Sequence, residues 1–266
     1  MRISTSSSSG RIGFAKISLS LASTPEEVRE VQRLRYKVFT EAMGLSLLAN
    51  PEGLDQDELD GYCEHLIVRN TRTLKVVGTY RVLTPRAAAR CGRLHADQMF
   101  DLDRLEHLRS KTVEAGRICI HPDYRGSGVL MMLWAGLFAL MKREGCVYLA
   151  GCASISLADG GYNATALCQD LGAKHLAPLE YRVEPRNPFI LHKCEPGHAP
   201  YMPPLLEGYL RSGAWICGDP AWDADCNCAD LFLLMPVGAM QRRCYAEETA
   251  SARNPLDFGA AAQRHA

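Results

Sequence analysis

Two charged residues sit where a buried strand should be apolar. In the stretch VEAGRICI, Glu114 and Arg117 stand among Val113, Ile118, Cys119 and Ile120. A carboxylate and a guanidinium inside a sheet need partners or a task. Successive strand residues face opposite sides, so positions three apart look away from each other. Glu114 and Arg117 can share one cleft only if an extra residue is inserted between them, and Gly116 is the natural place for such a bulge. A bulge also leaves a backbone N–H unpaired and open to a ligand. The chain then turns through Arg125, Gly126, Ser127 and Gly128 into the apolar run VLMMLWAGLFALM. Bare amides at a glycine-rich helix start form an anion site, suited above all to phosphate.

Two more arginines break apolar stripes. Thr24, Pro25 and Glu27 make a helix start, with Thr24 as N-cap and Glu27 as its capping-box partner. The stripe that follows is Val28, Val31, Leu34 and Val38, with Arg35 on the same face and needing an inward partner. HLIV and KVVGTYRVL, separated by RNTRT, read as a hairpin in which Arg81 shares a face with Val77, Thr79 and Leu83. Between helix and hairpin, residues 43–63 lack periodicity and carry Glu52, Asp55, Asp57, Glu58 and Asp60, as a lid or binding loop would.

The remaining elements complete an α/β reading. KISLSLAS alternates like a strand, and a short helix is expected near 102–108. The apolar helix ends at Lys142, Arg143 and a Gly145 cap, and VYLAGCAS is apolar throughout, as a central strand should be. The chain has 266 residues, 47% hydrophobic and 23% charged, enough for one large core. Lys plus Arg and Asp plus Glu are 30 each, so no global field points to nucleic acid. The longest apolar run, at 13 residues, is too short to span a bilayer. No secretory leader is read, and 11 scattered cysteines fit buried thiols in a reducing compartment. Cys226 and Cys228 with Cys217 lack a second ligand pair, so no metal is expected. Ser154 lacks nucleophile-elbow spacing, and His121 reads as structural.

RGSG at a strand-to-helix junction resembles the pyrophosphate and pantetheine signature of the GNAT acyltransferase superfamily, departing from it at Leu130. The ordered motifs LRYKVF, DQDELD, GTYRVL and EAGR are similar to those of acyl-homoserine-lactone synthases. The positions matching that family's charged cluster and aromatic are Arg35, Phe39, Asp57, Asp60, Arg81, Glu114 and Arg117. CEHLIV, RICIHPDYR, LMMLWAGL, LAGCASI and the C-terminal PPLLEGYLRSGAWICGDPAWDADCNCADLFLL resemble a closer group, the hemolysin-like GNAT branch that includes ornithine N-alpha-acyltransferases.

The resemblance implies a mixed central sheet flanked by helices, in one domain over 15–250. Its C-terminal extension begins near 185, and flexible tails cover 1–14 and 251–266. It implies a 3-hydroxyacyl chain carried as the phosphopantetheine thioester of acyl carrier protein, an ornithine acceptor and no resident cofactor. Attack of an amine on a thioester needs a base and a donor to the carbonyl oxygen. Glu114 is the candidate base, with Arg117 and Arg81 beside it. Arg35, Phe39, Asp57 and Asp60 are candidates for the acceptor, and Arg125, Gly126, Ser127 and Gly128 for the pantetheine phosphate. For Arg35 with Asp57 or Asp60, tying the lid to the sheet is the alternative. Met131, Met132, Trp134 and Phe138 read as core before acyl slot, and Arg86, Arg90, Arg93, Arg125, Lys142 and Arg143 as a face for the acidic carrier. A cytoplasmic location follows, with a peripheral membrane contact left open. Rival readings are an N-acyl synthase for another amino acid, a lactone synthase, or a non-catalytic carrier-binding or membrane-lytic protein.

Overall fold

A computed structural model describes residues 17–43, 52–191 and 200–238. The expected tails at 1–14 and 251–266 lie outside the described residues, as does part of the expected lid.

The alternating N-terminal segment forms β1 (Ile17–Leu21), followed by α1 (Pro25–Met43). Thr24 caps α1 by accepting the Glu27 N–H at 3.2 Å. The reciprocal bond is displaced by one residue: the Glu27 carboxylate accepts the N–H and hydroxyl of Ser23, at 2.7 and 2.9 Å. After the acidic loop, with its 3-10 turn Glu58–Gly61, comes the hairpin of β2 (Glu64–Asn70) and β3 (Val76–Leu83). α2 (Pro85–Cys91) starts on a Thr84 cap and ends on left-handed Gly92, and β4 (Phe100–Asp101) follows. The short helix expected near 102–108 is a 3-10 segment, Asp103–Lys111, running into β5 (Thr112–Ile120). α3 (Val129–Glu144) ends on Gly145 at φ 67°, as its sequence requires. Then come β6 (Tyr148–Ser156), α4 (Tyr162–His175), β7 (Glu184–Pro185), α5 (Pro204–Arg211), β8 (Trp215–Ile216), β9 (Ala221–Asp223) and β10 (Cys228–Pro236).

The main sheet runs β1, β2, β3, β5, β6, β10, β8, with β9 also on β10; β4 and β7 pair separately. Every neighbour is antiparallel except β5 and β6. That parallel junction has three residue pairs, ending at Glu114 opposite Ala150. Beyond it β5 stays paired with β3 and β6 with β10, so among the described residues two strand edges face each other unpaired. Gly151 marks the point of parting: a Cβ there would lie 2.6 Å from the Ala115 carbonyl oxygen.

α3 covers one face through Leu133, Leu137 and Leu140, packed on Leu66, Val82 and Val113. It approaches closely enough that a Cβ on Gly78 would lie 2.4 Å from Val129 Cγ1. The expected core residues of α3 divide: Met132 and Phe138 pack on this core, Trp134 stacks on Tyr209 at 5.3 Å, and Met131 is exposed. β10 is buried on both faces, Leu231 and Leu233 toward α4 and α5, Phe232 and Leu234 toward Phe100 and Leu102. At roughly 1.5–3 kcal/mol for each such side chain, this strand is a principal stabiliser of the sheet.

Candidate active site

The charged strand is bulged. Thr79 pairs with Cys119 and Arg81 with Gly116, so Tyr80 alone faces both Arg117 and Ile118. The extra residue sits one place beyond the expected Gly116: Arg117 holds φ at +52°, while Gly116 keeps an ordinary φ. A non-glycine residue there costs on the order of 1–2 kcal/mol. The consequence is the one the parity argument asks for. Glu114, Gly116 and Arg117 all line a single cavity of about 120 Å³, joined by Arg81 from β3.

Glu114 is buried, and its two oxygens accept the backbone N–H groups of His95 at 2.6 Å and Ala96 at 2.8 Å. The segment supplying those amides is itself locked, since Asp97 accepts the Leu94 N–H at 2.6 Å and pairs with Arg109 at 2.5 Å. Burial pushes the Glu114 carboxyl up to about 7, against the two amides and Arg81, which favour its ionised form. Each oxygen keeps a lone pair, so this is a carboxylate positioned to take a proton near neutral pH. His95 lines the same cavity, and burial, with Arg117 and Arg81 nearby, lowers its imidazole to about 4. It is therefore neutral at physiological pH.

Arg35, fully buried, donates to both oxygens of Asp60 at 3.0 and 2.5 Å, pairs with the Asp55 carboxylate at 2.8 Å, and also reaches the Asp55 carbonyl. Arg81 donates to Asp57 at 2.6 Å and Asp60 at 2.9 Å, and Gln32 donates to Asp60 at 2.9 Å. Burial alone would raise the Asp60 carboxyl, but Arg35 and Arg81 outweigh it and hold it well below the usual range. Asp57 is lowered for the same reason, with Arg81 outweighing burial. These pairs fasten the acidic loop to α1 and β3. Arg117 is less committed: it lies 3.9 Å from Asp55 and 3.6 Å from Asp57 and is 30% exposed at its side chain.

Arg35, Asp57, Asp60, Arg81, Glu114 and Arg117 are thus brought into one cluster. Of these, Arg81, Glu114 and Arg117 line the cavity, and Phe39 packs instead with Leu34, Val38 and Cys119. Arg125 to Gly128 form the turn beyond β5, with Gly126 and Gly128 at φ 79° and 83°. The first bond of α3 runs from Met132 N–H to Gly128 C=O, leaving the amides of Val129, Leu130 and Met131 outside the helical ladder. Tyr124 in the same turn accepts from the Asn70 side chain at 2.8 Å, anchoring it to the hairpin.

Several cavity residues were not singled out from sequence: His95, Cys152, Asp223 and Asp230, with Ser154 considered only as a nucleophile. Asp230 carried a readable signal, a carboxylate inside the apolar strand CADLFLLM, the same signal that marked Glu114 and Arg81.

Residues 34–135 match the acetyltransferase (GNAT) domain family. Among curated proteins, the L-ornithine N(alpha)-acyltransferase of Rhodobacter capsulatus is 32% identical over 241 residues, 85% of this chain and 92% of that protein. The Brucella abortus protein of the same name is 29% identical over 250 residues, 88% of each chain. Among solved structures, the AHL synthase LasI aligns with a TM-score of 0.51 at 12% identity, over 87% of this chain and 96% of that one. FeeM, an N-acyl amino acid synthase from uncultured soil microbes, aligns with a TM-score of 0.51 at 10% identity, over 85% and 94%. The two structures establish a likeness of fold.

Proposed function

This chain belongs to the L-ornithine N(alpha)-acyltransferase family and has the GNAT fold, and from that premise we propose a reaction and a role for each site residue. The enzyme moves a 3-hydroxyacyl group from the phosphopantetheine thioester of acyl carrier protein to the α-amine of L-ornithine. A C–N bond forms, the C–S bond breaks, and the products are lyso-ornithine lipid and the carrier thiol.

One observation carries the reading: β5 and β6 part immediately after Glu114, with the bulge at Arg117 on the same cavity. Two unpaired strand edges offer backbone donors and acceptors to an extended amide chain such as pantetheine, as in strand addition. The free amides at the start of α3, with Arg125, Gly126, Ser127 and Gly128, take its phosphate. A thioester laid in that gap has its carbonyl beside the bulge, where an amide freed from the ladder steadies the oxyanion. Ornithine enters as its ammonium, Glu114 removes the α-amine proton, and Arg117 with Arg81 holds the α-carboxylate. Arg35, Asp57, Asp60 and Phe39 serve the acceptor by fixing the loop and helix that wall the site. No side-chain nucleophile is required, because amine and thioester react directly once held in register.

No described helix is long and apolar enough to cross a membrane. The reading places the reaction in the cytoplasm, with contact to the membrane surface limited to release of the acylated product.

The test is direct. Purified protein is incubated with 3-hydroxyacyl thioesters of acyl carrier protein or coenzyme A and a panel of amino acids. Formation of Nα-acyl-ornithine from the carrier thioester is expected. Transfer to another acceptor only, lactone formation, or a preference for coenzyme A would overturn the corresponding part of the proposal.

A further inference from the structure

The wall of the cavity contributed by the C-terminal strands is acidic. Asp230 interrupts β10, whose neighbours on that face, Phe232 and Leu234, are core residues. It is 2% exposed and lines the cavity together with Asp223 and Ser154. One of its oxygens accepts the Ser154 hydroxyl at 2.5 Å and faces the Cys228 thiol at 3.8 Å.

Asp230 and Asp60 make an instructive pair. Both are buried aspartates, but Asp60 has two guanidiniums in contact and is held low. Burial raises the Asp230 carboxyl, and the Ser154 hydroxyl and the more distant Arg117 do not offset it. Among the described residues neither Asp230 nor Asp223 forms an ion pair, and Arg117 is paired with Asp55 and Asp57. A buried carboxylate without a counter-ion, turned into a substrate cavity, is a receptor for a cation.

We infer that Asp230, assisted by Asp223 and Ser154, binds the side-chain ammonium of the acceptor, so that this wall selects a diamino acid over a neutral one of equal length. The inference rests on the acceptor assignment above and deepens it. Arg117 and Glu114 on β5 address the carboxylate and α-amine common to all amino acids, whereas β9 and β10 address what distinguishes ornithine. The residues that match the acetyltransferase domain end at 135, before these strands begin. Transfer chemistry and acceptor choice therefore reside in different parts of the chain. The competing occupant is a divalent cation, because ligand atoms of Asp223, Cys228 and Asp230 all lie within 4.8 Å of one another.

The experiment compares kcat/KM for ornithine with that for norvaline, which keeps the carbon chain and lacks the ammonium. Wild type is expected to prefer ornithine by on the order of a hundredfold or more. Asp230→Asn, which can still accept from Ser154, should reduce that preference at least tenfold, and Asp223→Asn should reduce it in the same direction. An unchanged ratio in folded Asp230→Asn, confirmed by thermal melting, overturns the inference and leaves the proposed function standing. If that variant does not fold, the ratio for Asp223→Asn decides in the same way. If wild type instead prefers lysine, the acceptor assignment fails, and the subsite is judged by the lysine-to-norleucine ratio. A wild type that prefers neutral acceptors sinks both readings. Zinc bound at one per chain, lost in Asp230→Asn with the ornithine preference unchanged, would assign the cluster to metal and overturn the inference.

Discussion

Replacing Glu114 by Gln should remove a pH dependence of folding stability that the structure assigns to this one residue. The carboxyl titrates at about 7 in the folded protein against an ordinary value of 4.5, because burial disfavours its charge. A folded state that binds the proton more tightly is favoured at low pH. Stability from this group is therefore fully present below 4.5 and is lost as pH rises to about 7. At about 1.4 kcal/mol per pH unit, that interval amounts to roughly 3 kcal/mol. The paired aspartates Asp57 and Asp60 are lowered and titrate below this window. Buried His95, lowered from 6.5 to about 4, contributes a slope of opposite sign within it in both proteins, so the Glu114 effect is read from the difference between them. Gln cannot lose a proton, and its single carbonyl oxygen leaves one of the two amides, of His95 or Ala96, without an acceptor. The variant should be less stable than wild type at pH 5 by about 1–3 kcal/mol. The difference should narrow or reverse by pH 8, where wild type carries a buried charge. Urea melts of both proteins at half-unit steps from pH 4.5 to 8 measure it. Parallel curves for wild type and Glu114→Gln across that range would refute the assignment of the raised proton affinity to Glu114.

The proposed role of the same carboxylate as base predicts its effect on the rate. With ornithine bound as its ammonium, kcat/KM should rise with unit slope up to an inflection near pH 7, and Glu114→Gln should lose both the inflection and about 10²- to 10⁴-fold in rate. Activity within a few-fold of wild type removes Glu114 from the mechanism. Gly151→Ala sets a methyl against the Ala115 carbonyl at the parting of β5 and β6, and should cost about 1–3 kcal/mol in chemical melts and raise KM for the thioester. An unaffected KM would detach the gap from donor binding. Asp60→Asn strips charge from between Arg35 and Arg81 and should destabilise by about 3–5 kcal/mol, with protease cleavage of the loop at 52–63 as the local readout. Arg117→Gly should hold stability or raise it by up to about 1 kcal/mol by relieving the positive φ, while KM for the amino acid rises at least tenfold. A fall in stability with KM unchanged would contradict both halves.

Much of this site was legible because charge is out of place inside apolar periodicity. Arg35, Arg81 and Glu114 were each marked by that conflict, and each is buried with partners. The bulge followed from parity alone, but its register did not: sequence favours glycine for the extra residue, whereas the ladder puts Arg117 there. The capping box of α1 missed by one residue because Ser23 donates both its amide and its hydroxyl to Glu27, while the Thr24 hydroxyl is engaged as the cap for the Glu27 N–H. The partners of Glu114 were not readable, since they are backbone amides of a loop whose position depends on Asp97 and Arg109. Nor was the place of β10 between β6 and β8, because non-local pairing leaves no periodic trace in either strand. Asp230 obeyed the rule that found Glu114, and became meaningful once β10 stood beside β6.

The three rungs between β5 and β6 have a mechanical consequence. Among the described residues they form the sole ladder contact between the half-sheet of β1, β2, β3 and β5 and that of β6, β8, β9 and β10. Any widening of the far mouth pivots about the rung of Glu114 and Ala150, where displacement is least. A gap hinged in this way could open at its rim while the Glu114 carboxylate at the fulcrum keeps its place.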